Sequence, residues 1–202
     1  MGGGMERINI LLAGVGGQGI ITMGKMIGNA AVNSGIKVFV AETHGLSQRG
    51  GSVQVHIRIG NVMAPLIEKG KADYIVGLEA SEALRNLSYA GKGTVFILNK
   101  QTIKPVVPKV NTPDLEIVLQ RLHGFRYYLV DGERIARDAG NPKGSNAVLI
   151  GFMVGMGFFG EMQKKAFEMA MITDPNVRCF NAGYAEAMTA KKTDAPEKIV
   201  TG

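Results

Sequence analysis

At 202 residues and 46% hydrophobic content, with an ordinary 20% of charged residues, the chain is long enough for one good core and points to a soluble globular protein. Its formal charge of +6 lies in clusters that interleave with acids ("EKGK", "QKK", "AKKTDAPEK"), there is no Trp, and aromatics are 6%, which argues against a nucleic-acid reader. A single cysteine, Cys179, excludes an internal disulfide, points to a reducing, cytoplasmic compartment, and cannot alone supply a four-cysteine iron–sulfur cluster.

The leading "MGGG" has no apolar h-region and is not read as a signal peptide. "RINILLAG" (7–14) reads as a continuous buried strand of the parallel type. A helix follows over about 19–33, with Ile20, Met23, Ile27, Ala30 and Ala31 at helical spacing and Ser34-Gly35 as the stop. "KVFVAE" is the next strand, completing a β-α-β unit. In "SVQVHIRI" (52–59) apolar Val53, Val55, Ile57 and Ile59 alternate with Gln54, His56 and Arg58, which predicts a half-solvated strand near an edge or in an antiparallel pair. Gly60-Asn61 then reads as a hairpin turn into "VMAPLI", and His56 as exposed or cross-strand rather than catalytic.

Regular alternation resumes with strand "ADYIVGLE", helix "ASEALRNLSYA" and strand "GTVFILN". "KPVVPKV" is an extended connection, Thr112-Pro113-Asp114 a helix start with proline at its first position, "FRYYLVD" a strand and "GERIARDAG" a short helix. The rest, from Ser145, reads as helical. Its apolar run Ala147 to Gly160 is too short to cross a bilayer, and the Gly151–Gly155 pair marks close helix packing. Met23, Met26, Met153 and Met156 read as core. The expectation is one three-layer α/β/α domain over 7–190, a Rossmann-like, mainly parallel sheet with an antiparallel hairpin and a helical C-terminus, and flexible ends at 1–6 and 191–202.

Two loops carry the functional signal. Gly14, Gly16 and Gly19 fit the G-x-G-x-x-G spacing between strand and helix, where backbone N–H groups and the helix dipole meet phosphate, and Glu42 stands where an acid would take ribose hydroxyls. A bland reading is tight packing of the turn. Against an ordinary dinucleotide site stand Gln18 in mid-loop and "THGLSQRGG", a polar, glycine-dense loop where a second crossover helix would begin. His44, His56 and His123 show no metal-ligand spacing, so no metal site is expected in this chain.

"GVGGQGIITMGKMIGNAAVNSG", "ETHGLSQRGGSVQVHIRIG" and "ARDAGNPKGSNAVLIG" together resemble the gamma-type subunit of 2-oxoacid:ferredoxin oxidoreductases, nearly end to end. "HGLSQRGG" resembles the branch acting on indolepyruvate, whose corresponding subunit is called beta, rather than pyruvate and 2-oxoglutarate relatives with an aromatic-Gly-Pro-Glu run. The resemblance implies coenzyme A-dependent oxidative decarboxylation of an arylpyruvate with reduction of ferredoxin. It places thiamine diphosphate, Mg2+ and [4Fe-4S] clusters on a large alpha partner subunit, with no role for nucleic acid or membrane. On this reading Gly14, Gly16, Gly17, Gln18 and Gly19, with Ser47, Gln48, Arg49, Gly50 and Gly51, help close an active site at the subunit boundary. Arg49 is the candidate to hold a carboxylate or phosphate through its planar fork, Gln18 and the N–H groups of Gly16, Gly17 and Gly19 to bind an anion or partner carbonyl, and His44 to shuttle a proton. Ser47 reads as a loop cap, and Asn146 as a helix cap or a ligand-orienting amide. The alternatives are the same enzyme type for another 2-oxo acid, a freestanding NAD(P)-dependent oxidoreductase, and a non-catalytic nucleotide-binding or scaffolding module.

Overall fold

The first strand, β1 (Ile8–Val15), is apolar and buried on both faces; Ile10, Leu11, Leu12 and Ala13 are 0% exposed. Such burial contributes roughly 1.5–3 kcal/mol for each large aliphatic side chain, which is why the run has no polar alternation to show. The computed structural model describes residues 6–44, 51–100 and 113–192. After β1 come α1 (Ile20–Asn33), β2 (Val38–His44), β3 (Ser52–Ile59), β4 (Ala72–Gly77), α2 (Ala80–Arg85), β5 (Ala90–Asn99) and α3 (Leu115–Arg121). Then follow β6 (Arg126–Val130), α4 (Gly132–Asp138), α5 (Ser145–Met156), α6 (Lys164–Ala170) and α7 (Asp174–Lys192).

The six strands form one sheet in the order β2-β3-β1-β4-β5-β6. Strand β3 is antiparallel to both neighbours, and β1, β4, β5 and β6 pair in parallel. The architecture is α/β, as the alternating elements indicate. One face packs on α1, α4, α5, α6 and α7, with Met23, Met26, Met153 and Phe167 fully buried. The other carries α2, α3 and a core of Leu11, Ile75, Phe96, Leu98, Val118 and Leu122. The apolar run from Ala147 supplies α5, a core helix, and among the described residues no helix is long and apolar enough to cross a membrane.

Several local expectations are corrected. Strand β3 is antiparallel as its alternation implied, but it lies inside the sheet. No strand follows Gly60-Asn61; the antiparallel hairpin is β2–β3, and the Gly60 N–H donates to the Lys37 carbonyl. Residues 60–71 instead cross the second face of the sheet. His56 is 2% exposed, and its Nδ1 accepts from the Ile67 N–H at 3.2 Å. Arg58 Nη1 donates to the Ala64 and Leu66 carbonyls at 2.9 and 3.2 Å. The polar residues of β3 thus satisfy the backbone of a covering segment that has no ladder of its own.

Three boundaries also move. Helix α3 begins at Leu115 with Asp114 as its N-cap residue, leaving Pro113 outside. The helix expected from "GEMQKKAFEMAM" narrows to Lys164–Ala170, and α7 continues through Lys192. The extended connection read at 104–110 lies outside the described residues.

Burial holds the His56 imidazole below its ordinary pKa, and protonating Nδ1 would remove the acceptor of the Ile67 N–H. The unfolded state therefore takes up a proton near pH 6.5 that the folded state refuses. Stability contributed here is complete above that pH and falls below it, by at most about 1.4 kcal/mol per pH unit. Chemical denaturation between pH 7.5 and 5 should show this slope in the native chain and a shallower one in His56→Gln, which keeps an acceptor but does not titrate. Parallel slopes would contradict it.

Candidate functional site

Strand β1 ends at Val15 and the chain turns through Gly16–Gly19 into α1. Gly17 and Gly19 have φ of 99° and 79°, in the left-handed region that L side chains rarely adopt. A Cβ on Gly17 would meet nothing within 4 Å, so conformation rather than space requires glycine there. At Gly14 the reason is space, since a Cβ would come within 2.7 Å of Gln18 Oε1. That oxygen accepts from the Val15 N–H at 2.8 Å, and Gln18 Nε2 donates to the Leu78 carbonyl at 3.5 Å. Gln18 therefore ties the turn to the end of β4, an internal role the sequence did not indicate.

The Gly16 N–H donates to the Gly51 carbonyl at 3.0 Å. The two glycine loops singled out from the sequence thus meet through their backbones. Antiparallel β3 makes this possible, because Ser52 pairs with Val15 and β3 begins where β1 ends. Of the N–H groups named as anion donors, that of Gly16 is committed internally. Ser47, Gln48, Arg49 and Gly50, and the side chain of His44, lie outside the described residues. The strand ends that carry this segment are fixed, with His44 opposite Val53.

Strands β1 and β4 are parallel neighbours whose following helices, α1 and α2, pack on opposite faces. That makes the gap between their C-terminal ends a topological switch point, where open α/β sheets place ligands. Leu78 sits at its centre: its N–H donates to the Ala13 carbonyl at 3.0 Å, and its carbonyl accepts from Gln18 and, at 3.3 Å, from Asn99 Nδ2. Asn99 Oδ1 accepts from the Gly132 N–H at 3.1 Å, extending the network to α4. Glu79, 1% exposed, accepts through Oε2 from the Ser81 hydroxyl and the Glu82 N–H. Sequence reasoning passed over Glu79 and Asn99. Their signal was a polar residue directly after an apolar run, 75–78 before Glu79 and 95–98 before Asn99.

Asn146 joins the same end of the fold. Its Nδ2 donates to the Gly19 carbonyl at 3.3 Å and its Oδ1 accepts from the Ala147 N–H. Gly144, not Asn146, is the N-cap residue of α5, although Asn146 occupies one first-turn N–H. Neither α1 nor α5 has a side-chain cap or an acid in its first turn, so two positive dipole ends converge at Gly19 and Asn146.

The ordinary dinucleotide arrangement is altered. Strand β3 stands between β1 and β2, which places exposed Glu42 two strand spacings, about 10 Å, from β1. A cavity of about 770 Å³ lies at the opposite end of the sheet, its lining including Arg7, Arg126, Asp73 and Glu161. Among the described residues no three His, Cys, Asp or Glu side chains gather as metal ligands.

Residues 9–186 match the family model described as pyruvate ferredoxin/flavodoxin oxidoreductase. The chain belongs to this family. Within it, the chain is 39% identical over 196 residues to the indolepyruvate oxidoreductase subunit IorB of Archaeoglobus fulgidus, covering 92% of this chain and 98% of that one. The gamma subunit of a keto/oxoacid ferredoxin oxidoreductase from Geobacter sulfurreducens has the same fold, with a TM-score of 0.66 at 20% identity over 91% and 99% of the two chains. The 2-oxoglutarate:ferredoxin oxidoreductase of Magnetococcus marinus, solved with 2-oxoglutarate, coenzyme A and succinyl-CoA, gives a TM-score of 0.70 at 18% identity. That match covers 92% of this chain but 32% of the other, so the family member seen here corresponds to about a third of a longer polypeptide.

Proposed function

We propose that this chain is the beta (gamma-type) subunit of a cytoplasmic arylpyruvate:ferredoxin oxidoreductase, with indolepyruvate as the type substrate. The reaction converts a 2-oxo acid, coenzyme A and two oxidised ferredoxins to acyl-CoA, carbon dioxide, a proton and two reduced ferredoxins. The observation that carries this reading is the hydrogen bond between Gly16 and Gly51, which joins the glycine turn to the last residue of S-Q-R-G-G at the sheet end beside the switch point. The 39% identity to an indolepyruvate oxidoreductase subunit supports the substrate class.

The chain's own residues do not fit a resident iron–sulfur cluster, because its one cysteine is buried between α4 and α7. On this reading thiamine diphosphate, Mg2+ and the clusters are carried by a large alpha subunit, as the family resemblance implies, and that subunit passes electrons to ferredoxin. This subunit closes the shared site. Arg49 holds a carboxylate or phosphate, and the turn at Gly17 and Gly19 lets a phosphate or partner backbone approach closely.

Anaerobic co-production with the large subunit tests this. The expected product is a brown complex containing thiamine diphosphate that reduces a viologen dye with indolepyruvate only when coenzyme A is present. Preference for another 2-oxo acid would correct the substrate. A colourless lone chain that binds NADH would reject the proposal.

A further inference from the structure

The covering segment after β3 has an unusual surface. Met63, Ala64, Pro65 and Leu66 are four consecutive apolar residues and all are exposed, Met63 by 85% and Leu66 by 52%. Four such residues in a row oppose the ordinary patterning of a solvated loop, and contiguous exposed apolar surface marks an interaction site. The segment is also held firmly. Val62 and Ile67 on either side are buried, at 1% and 4% exposure. The Arg58 guanidinium takes the carbonyls of Ala64 and Leu66, while Arg58 Nε donates to Asn9 Oδ1 at 3.0 Å. Asn9 in turn is fixed by Asp73 and by the Lys71 carbonyl. Pro65 has no N–H to satisfy. With two of its carbonyls engaged from beneath, the segment faces outward mainly as side chains.

We propose that Met63–Leu66 is a preformed docking surface for the large partner subunit, an inference that rests on the subunit reading above. The occupant is a protein face with an apolar pocket. In the longer Magnetococcus marinus relative the matched part is 32% of one polypeptide, so a fold like this one occurs joined to further protein. The Archaeoglobus fulgidus relative is named as a subunit, and four residues alone would bury less than the roughly 1,200 Å² typical of a stable interface, so the segment is one part of a larger contact with that partner. Exposed Asn61, Glu68 and Lys69 supply a polar rim. Because Arg58 and His56 fix the backbone beforehand, docking loses little conformational entropy. The segment leaves β3 at the sheet end opposite the glycine loops, so it acts in assembly and not in the reaction.

The test titrates the separately purified large subunit with the native chain, with Met63→Glu/Leu66→Glu, and with Val32→Glu/Ile172→Glu. The last pair alters another exposed apolar patch, at residues 65% and 69% exposed. All the altered positions are solvent-facing, and circular dichroism checks that each variant folds; Met63→Ser/Leu66→Ser serves as a milder substitute. The expected result is a dissociation constant at least tenfold weaker for the Met63/Leu66 pair alone, with native turnover regained at saturating large subunit. Equal affinity of that pair and the native chain would overturn the docking surface while leaving the subunit reading intact. Equal weakening by the Val32/Ile172 pair would also overturn it. Self-association of the native chain that Met63→Glu abolishes would assign the segment to a second copy and reject the proposal. Failure of the native chain to bind the large subunit at all would reject the subunit reading and this inference with it.

Discussion

Replacing Gly183 by alanine is expected to lower the unfolding midpoint by roughly 6–12 °C, the equivalent of about 3 kcal/mol. Helices α5 and α7 cross backbone to backbone. A Cβ on Gly183 would overlap the Val148 carbonyl, and one on Gly151 would overlap that of Phe180. Gly155 repeats the contact against Ala187 and the Tyr184 carbonyl, at 2.6 and 2.9 Å from an added Cβ. Backbone cannot rotate aside as a side chain can, so the two helices must separate. They would open contacts among Leu149, Phe180 and Met153, all fully buried. Alanine's better helix propensity returns only about 1 kcal/mol. Thermal denaturation followed by circular dichroism checks this against Gly93→Ala, where an added Cβ has open space and little change is expected. Equal midpoints for the two variants would refute the packing argument.

The second large effect concerns activity. Arg49→Lys in the assembled complex should lower turnover by more than tenfold, about 1.4 kcal/mol of transition-state stabilisation. Lysine keeps the charge but loses the planar fork that binds two oxygens of a carboxylate or phosphate. Steady-state kinetics with 2-oxo acid and coenzyme A varied separately check which constant changes. Unchanged constants for both would remove Arg49 from the site. The native melting temperature should be kept.

Much of the scaffold was legible because burial on two faces writes itself as uninterrupted apolar sequence. The runs 10–15 in β1, 75–78 at the end of β4, 95–98 in β5 and 147–156 in the glycine-paired α5 all have that form. The place of β3 was harder to read. Alternation along "SVQVHIRI" separates a polar from an apolar face, but it does not distinguish a face covered by water from one covered by backbone that needs donors and acceptors. His56 and Arg58 serve the second purpose, and that mistake produced the hairpin at Gly60-Asn61. At the site, the contact between Gly16 and Gly51 depends on antiparallel β3 lying beside β1, so it was no more legible than the place of β3 itself. The internal bonds of Gln18 were not legible, because a glutamine beside a phosphate loop and one bridging Val15 and Leu78 look alike until β4 is set next to β1. Asn99 went unnoticed for the same reason, since its partners Leu78 and Gly132 lie far along the chain, whereas Glu79 caps its own helix through Ser81 and Glu82, a local signal that was passed over.

The pairing of β2 with β3 also bears on how the chain reaches this sheet. It is closed by residues 45–51, whereas β5 and β6 await the whole of 100–125 and β1 meets β4 across three intervening elements. For unstructured chain, the shorter closure costs about 1 kcal/mol less entropy than that between β5 and β6. The hairpin is thus the cheapest long-lived pairing available to the young chain, and it offers β1 a ready edge before any parallel neighbour exists.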